Sequence, residues 1–204
     1  MPLKIKNCQL LILLVALWFL GHQKAFSQVE AVAGLNYSYA MNDGVLPNQK
    51  AIVTPTIGLL TSFQLKDSSI HHLKTGILFM VAGYNQDFDE TTYSKRFKYL
   101  ALPLLYKLQL SDAISVEAGA QFRMMVLREE EYKYNYRRED IAAVFGFNLF
   151  EGNMLSIYVN ASYGILPMVS YQRIDEIGNF NGKIEDIHNT MVSLGIKFKL
   201  SGND

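Results

Sequence analysis

Apolar and polar residues alternate through most of this chain. The alternation is strictest near the end, in Met191-Val192-Ser193-Leu194-Gly195-Ile196-Lys197-Phe198-Lys199-Leu200. Val192, Leu194, Ile196, Phe198 and Leu200 share one face, and Ser193, Gly195, Lys197 and Lys199 share the other. A period of two predicts a β-strand with one greasy and one polar side. Ile114, Val116, Ala118, Ala120, Phe122, Met124 and Val126 oppose Ser115, Glu117, Gly119, Gln121 and Arg123 in the same way. So do Leu155, Ile157, Val159, Ala161, Tyr163 and Ile165 against Ser156, Tyr158, Asn160, Ser162 and Gly164. Ile57, Leu59 and Phe63 oppose Thr54, Thr56, Gly58, Ser62 and Gln64. Leu73, Ile77, Phe79 and Val81 oppose Lys74 and Gly76, a pattern weakened by Leu78 and Met80.

Eight strands are expected: 29–41, 52–65, 70–84, 95–110, 113–128, 139–150, 154–171 and 188–200. Most exceed the usual length of about five or six residues. They suit a tilted membrane crossing, which takes about 9–11 residues with some overhang. Helical periodicity is nowhere sustained.

Alternation alone also permits a soluble sandwich. The polar faces decide against it. Seven strands carry a glycine there: Gly34, Gly58, Gly76, Gly119, Gly146, Gly164 and Gly195; the fourth has none. On a solvated face glycine only weakens a strand. Inside a narrow eight-strand barrel, small residues must be interspersed with large ones. The connections alternate as well. Those after strands two, four and six are short (66–69, 111–112 and 151–153). Those after strands one, three, five and seven are longer and polar: 42–51, 85–94, 129–138 and 172–187. Short turns at one end and long loops at the other mark outer-membrane barrels. The expected fold is therefore all-β, an eight-stranded antiparallel up-and-down transmembrane β-barrel. Pro103 cannot donate to a ladder, and a closed barrel has no edge to hold it. A bulge or local distortion is expected there.

The N-terminus predicts export. Lys4 and Lys6 precede an apolar run from Leu10 to Leu20, and Ala25-Phe26-Ser27 is a small-x-small cleavage site. The division expected is a signal peptide over 1–27 and a barrel domain over 28–204. Cleavage removes Cys8 and Trp18, the chain's one cysteine and one tryptophan, so no disulfide or thiol chemistry is expected. Loss of Lys4, Lys6 and Lys24 leaves a mildly acidic chain, a poor match for nucleic acid. No later stretch is apolar and long enough for a membrane helix.

The polar faces set Glu30, Lys74, Lys107, Glu117, Arg123, Lys197 and Lys199 inside the barrel. Buried charges need partners. Lys107 and Glu117 flank the 111–112 turn and are expected to be cross-strand neighbours. Closure of the barrel sets Glu30 beside Lys197 or Lys199. No metal site or cofactor is expected, because His71 and His72 point to opposite faces of a strand. His188, with Ser170 and Glu176 or Glu185, is the one set with hydrolase chemistry. From Arg128 to Asp140 an acidic arm (Glu129, Glu130, Glu131) precedes a basic one (Arg137, Arg138), with Tyr132, Tyr134 and Tyr136 interleaved. This predicts a projecting hairpin pairing Glu129 or Glu130 with Arg137 or Arg138.

Three places carry a resemblance. They are Ser27-Gln28 at the end of the signal, Tyr99-Leu100-Ala101-Leu102-Pro103-Leu104-Leu105-Tyr106-Lys107, and Gly195-Ile196-Lys197-Phe198-Lys199-Leu200. The chain resembles the small outer-membrane β-barrel domain family, PorT-like, with an OmpX-like eight-strand architecture. The last segment is similar to the signal read by the barrel-assembly machinery, through Gly195, Ile196, Phe198 and Leu200. It departs from that signal in ending on Leu200 instead of an aromatic residue, with Ser-Gly-Asn-Asp following. The resemblance implies an outer-membrane location and a link to secretion. The expected partners are outer-membrane lipid and lipopolysaccharide, the assembly machinery, and an envelope protein; a monomer is expected. The function expected is a structural or interaction module with a filled interior, neither an enzyme nor an open diffusion pore. The alternatives are an outer-leaflet lipid-modifying enzyme using His188 as base, and a soluble lipocalin-like barrel with apolar faces inward.

Overall fold

The structure, a computed structural model, describes residues 27–41, 48–65, 70–88, 91–127, 136–174 and 180–201. Most of the expected signal peptide, the 129–135 part of the third loop and Glu176 lie outside the described residues.

Among the described residues ten strands form in chain order: β1 (Ser27–Met41), β2 (Gln49–Lys50), β3 (Ile52–Gln64), β4 (His71–Phe88), β5 (Thr91–Gln109), β6 (Ile114–Leu127), β7 (Glu139–Leu149), β8 (Leu155–Gly164), β9 (Val169–Ile174) and β10 (Phe180–Ser201). Eight of them, β1, β3, β4, β5, β6, β7, β8 and β10, pair antiparallel in sequence order. β1 then pairs with β10 from Val29↔Ser201 to Met41↔His188, which closes the ring. The chain is an all-β, eight-stranded, up-and-down antiparallel barrel. β2 and β9 are short additions beyond the wall: β2 pairs β4, and β9 pairs β10.

The strict alternation fixes which way each wall residue points. Along β7 every second residue from Asp140 to Asn148 is buried, and those between are exposed. Leu35, Ile57, Leu104, Phe145 and Leu194 are each more than half exposed on the outside. Glu30, Lys74 and Arg123 are fully buried inside. A lipocalin needs the opposite arrangement. A continuous apolar outer belt calls for an apolar surround, because each Å² shielded from water is worth about 25 cal/mol. Aromatic residues rim the belt at both ends, as lipid interfaces favour. Tyr39 and Tyr163 both pair with Thr190 at the long-strand end. Tyr106, Phe147 and Phe198 stand near the short-turn end.

Three expectations need correction. The connections at 85–94 and 172–187 are mostly strand. Asn85↔Ser94, Gln86↔Tyr93 and Asp87↔Thr92 continue the β4–β5 hairpin past the belt, and β10 starts at Phe180. The seventh strand does not run unbroken to 171. It stops at Gly164, bends through Pro167, and resumes as β9. Between Tyr163↔Thr190 and Val169↔Ile187, one side advances six residues against three on the other, a wide bulge.

At Pro103 the expected local distortion is present, without a bulge or register shift. Its ladder to β4 is interrupted between Thr75↔Leu104 and Leu78↔Ala101, then continues in the same register. Gly76 stands opposite at φ 156°, a conformation that glycine tolerates. The register shift in β5 lies at Lys98/Tyr99 instead.

Val81 is the third correction: it is buried, as are Ala82, Gly83 and Tyr84 after it. The β3–β4 ladder ends at Thr56↔Met80, and β2 takes over only at Lys50↔Asn85. Polar side chains of β1 and β3 fill the gap. Thr54 Oγ1 and Asn36 Nδ2 donate to Val81 O at 2.6 and 3.2 Å, and Ser38 Oγ accepts from Gly83 N at 2.9 Å. Held this way, β4 leans into the barrel mouth.

An outward Leu194→Arg substitution places a charge on the apolar belt. It is expected to destabilise the folded barrel in lipid by about 2–4 kcal/mol. Equilibrium unfolding in phospholipid vesicles measures this, and an effect below about 1 kcal/mol would contradict a lipid-facing Leu194.

Candidate functional site in the barrel interior

The interior has two layers. The layer toward the short turns is ionic. Glu117 of β6 is its centre: Glu117 Oε2 lies 2.7 Å from Lys74 Nζ and 3.5 Å from Lys197 Nζ. Asn148 Nδ2 also donates to that oxygen at 3.1 Å, and Lys197 Nζ donates to Asn148 Oδ1. Lys74 Nζ is 3.7 Å from Glu30 Oε2, and Gln28 Nε2 donates to Glu30 Oε1 at 3.0 Å. Lys107 pairs at 2.6 Å with Glu151, which also accepts from Ser115 Oγ at 3.1 Å. Three ammonium groups thus face three carboxylates. Burying an unmatched charge costs several kcal/mol, so this parity permits the layer to exist.

Both expected neighbourhoods hold in the register, but the charges pair elsewhere. Lys107 and Glu117 are opposite in register, yet Lys107 turns to Glu151. Glu30 is opposite Lys199 in register, yet its closest ammonium is that of Lys74. In a narrow ring, inward side chains meet across the lumen, so a residue's neighbour on the wall need not be its partner. Lys199 is only partly buried.

Arg123 forms a separate site further up. Its Nη2 donates to Ser162 Oγ at 2.7 Å and its Nε to Gln121 Oε1 at 2.9 Å; Nη1 lies 3.4 Å from Asp140 Oδ2. Asp140 therefore belongs to the interior and not to the projecting hairpin. Sequence reasoning missed Asp140, Asn148 and Glu151. Asp140 and Asn148 share the inward phase of Gly146 and were readable by counting in twos. Glu151 was not, because the turn breaks the count: Phe150 takes a left-handed φ of 62°, and this turns Glu151 into the barrel mouth.

The glycines lie on inward positions and serve two ends. A Cβ on Gly195 would sit 2.6 Å from Tyr158 Cε1, and one on Gly34 would meet the Tyr158 hydroxyl. Gly34 and Gly195 are direct partners, so the Tyr158 ring rests on a bare strip of wall. Gly146 makes room for Asn160, and Gly164 for Asp140. At Gly58, Gly76 and Gly119 the space is taken by the next strand's backbone instead.

Toward the long-strand end the filling becomes apolar. Met80, Met125, Met168 and Met191 pack with Tyr84, Phe97, Tyr99 and Tyr136. The Tyr84 and Tyr136 hydroxyls are 3.2 Å apart, and Lys95 Nζ lies about 6 Å from both ring centres. Between the layers is a cavity of about 40 Å³ lined by Leu60, Met80, Glu117, Tyr158, Asn160 and Lys197 among others. It has room for a few water molecules at most, at roughly 10–15 Å³ each.

Among the described residues, Ser170 and His188 of the expected hydrolase set do not bond one another. Ser170 Oγ donates to Asp186 Oδ1 at 2.6 Å, and His188 Nδ1 donates to Gly164 O at 2.8 Å while its ring stacks on Tyr163. His71 hydrogen-bonds Tyr106. No cluster of three metal-ligating side chains occurs among the described residues. In the last strand Ile196, Phe198 and Leu200 face outward, and Gly195 inward.

No protein-family model and no curated protein matches the sequence. Solved structures do match in shape. Neisserial surface protein A superposes with a TM-score of 0.51 at 9% identity, over 84% of this chain and 97% of its own. The chain has the outer-membrane β-barrel fold. The outer membrane protein OprG of Pseudomonas aeruginosa matches at 0.44 and 10%, over 87% and 98%. Ail of Yersinia pestis, in complex with the heparin analogue sucrose octasulfate, matches at 0.40 and 14%, over 86% and 100%.

Two predictions follow from the ionic layer. Glu117→Gln strands Lys74 and Lys197 and is expected to cost about 3–5 kcal/mol. The exposed Glu139→Gln is expected to stay within about 0.5 kcal/mol. Denaturant unfolding in micelles, followed by gel mobility, compares them; equal stabilities would remove Glu117 as the centre. Glu151 lies in a turn outside the wall. Burial raises its pKa, but Lys107, Lys74 and Lys197 outweigh this and hold it below the usual range. Its stabilising contribution is thus complete above the unfolded value of about 4.3 and fades as pH falls through the lower folded value. Glu151→Gln is expected to flatten the loss of stability in that acid window. An acid-unfolding curve with the wild-type slope would refute this.

Proposed function

We propose that this protein resides in the outer membrane as a non-conducting, non-enzymatic barrel that presents its strand extensions and loops to partners. The observation that carries the reading is an interior filled from end to end. Lys107–Glu151 occupies one mouth, and Tyr84, Tyr136 and Lys95 the other. The apolar belt with its two aromatic rims supports the membrane location. Export by a signal peptide cleaved after Ser27, and recognition of Gly195, Ile196, Phe198 and Leu200 by the barrel-assembly machinery, belong to the same proposal. So does the PorT-like role as an accessory to envelope or secretion machinery. A non-enzymatic role is supported by Ser170 donating to Asp186 instead of to His188.

Two measurements test it. Membrane fractions washed with carbonate are expected to retain the mature protein. Planar-bilayer recordings of the purified barrel are expected to show no stable open level. Release into the wash, or steady single-channel steps, would sink the location or the filled interior respectively.

A further inference from the structure

One feature of the outer wall is unused by the interior. A shallow open groove lies over β1, β3 and β4, lined by Val29, Ile57, Leu59, Ile77 and Phe79 and by the backbone at Gly58 and Gly76. It lies in the apolar belt, continuous with the surface that faces hydrocarbon.

Above it stand two cations. Phe79 pairs with Leu100, and Lys98 is the next outward residue on β5, about 7 Å further toward the long-strand end. Arg96 follows by the same step. Both are exposed, alternate with buried Phe97 and Tyr99, and join no ion pair among the described residues. Asp87, further along β4, is already matched by Lys50 at 2.6 Å. Cations at the level where the belt ends meet the headgroup region, and each basic residue there favours an anionic lipid.

We propose that this groove and the Arg96/Lys98 pair form one lipid site. A hydrocarbon chain lies over Gly58 and Gly76, and the lipid's phosphate is held by Lys98 and Arg96. The occupant is a phosphorylated, net-anionic lipid of the surrounding leaflet. The proposal rests on the membrane reading above and deepens it.

Native mass spectrometry of the detergent-solubilised full barrel tests it, with dioleoyl phosphatidylglycerol and dioleoyl phosphatidylcholine as probes. The expected result is one retained phosphatidylglycerol, preferred about tenfold or more over phosphatidylcholine. The double variant Arg96→Glu, Lys98→Glu is expected to lose that preference. Ile57→Trp, which fills the groove and leaves the cations intact, is expected to weaken retention of both lipids. Heat-dependent gel mobility checks that each variant folds. Equal retention of the two lipids overturns the site, as does a preference that survives the double charge reversal. Retention untouched by Ile57→Trp overturns the groove's part in it. A protein that stays in carbonate-washed membranes yet fails these tests loses this site alone, whereas release into the wash removes the membrane reading as well.

Discussion

Closure between the first strand and the last is the constraint on which the rest depends. A backbone surrounded by hydrocarbon has no water to bond, so each amide of the wall must find a partner strand. β1 meets this by pairing β3 on one side and β10 on the other along nearly its whole length. With the ring shut at eight strands, the interior is narrow, and everything that points inward must fit and be neutralised there. The charge parity around Glu117, the glycines beneath Tyr158 and the absence of room for a channel are consequences of that one closure.

The interior is not uniform, and the division follows from the chain. At the short-turn end, inward positions are Lys, Glu, Asn and Ser, and they solve burial by pairing. At the other end β4 tilts inward, and methionines with aromatic rings solve it by packing. Met side chains suit this place because they fill irregular gaps. A hydrophobic lid above an ionic layer keeps water from the ion pairs, which strengthens them. The layers therefore support one another.

The wall was legible in the sequence because a period of two survives any length of strand. Residues such as Leu194, Ser193, Phe145 and Gly146 could be assigned to a face by counting. The sequence misled where counting loses its anchor or where polarity was taken for a loop. Residues 85–94 are polar, yet beyond the belt a strand needs no apolar face, and Asn85 pairs with Ser94. Val81 keeps the outward phase but is buried, because β4 leaves the β3 backbone ladder and is held instead by the side chains of Asn36 in β1 and Thr54 in β3. The partner of a buried charge was unreadable as well. Lys107 and Glu117 are aligned by register, but the choice of Glu151 depends on a turn conformation set at Phe150.

The contact of Tyr158 with Gly34 and Gly195 has a consequence for the order of assembly. Tyr158 belongs to β8, while the glycines are the paired residues of the first and last strands. The ring therefore spans the seam and can settle only when the seam is shut. It serves as a latch that records completion. The portion after Ser27 contains no tryptophan, so an indole installed at 158 would be the sole such fluorophore in a chain beginning at Gln28. Its emission would time the last event of barrel formation, separately from the pairing of the earlier hairpins.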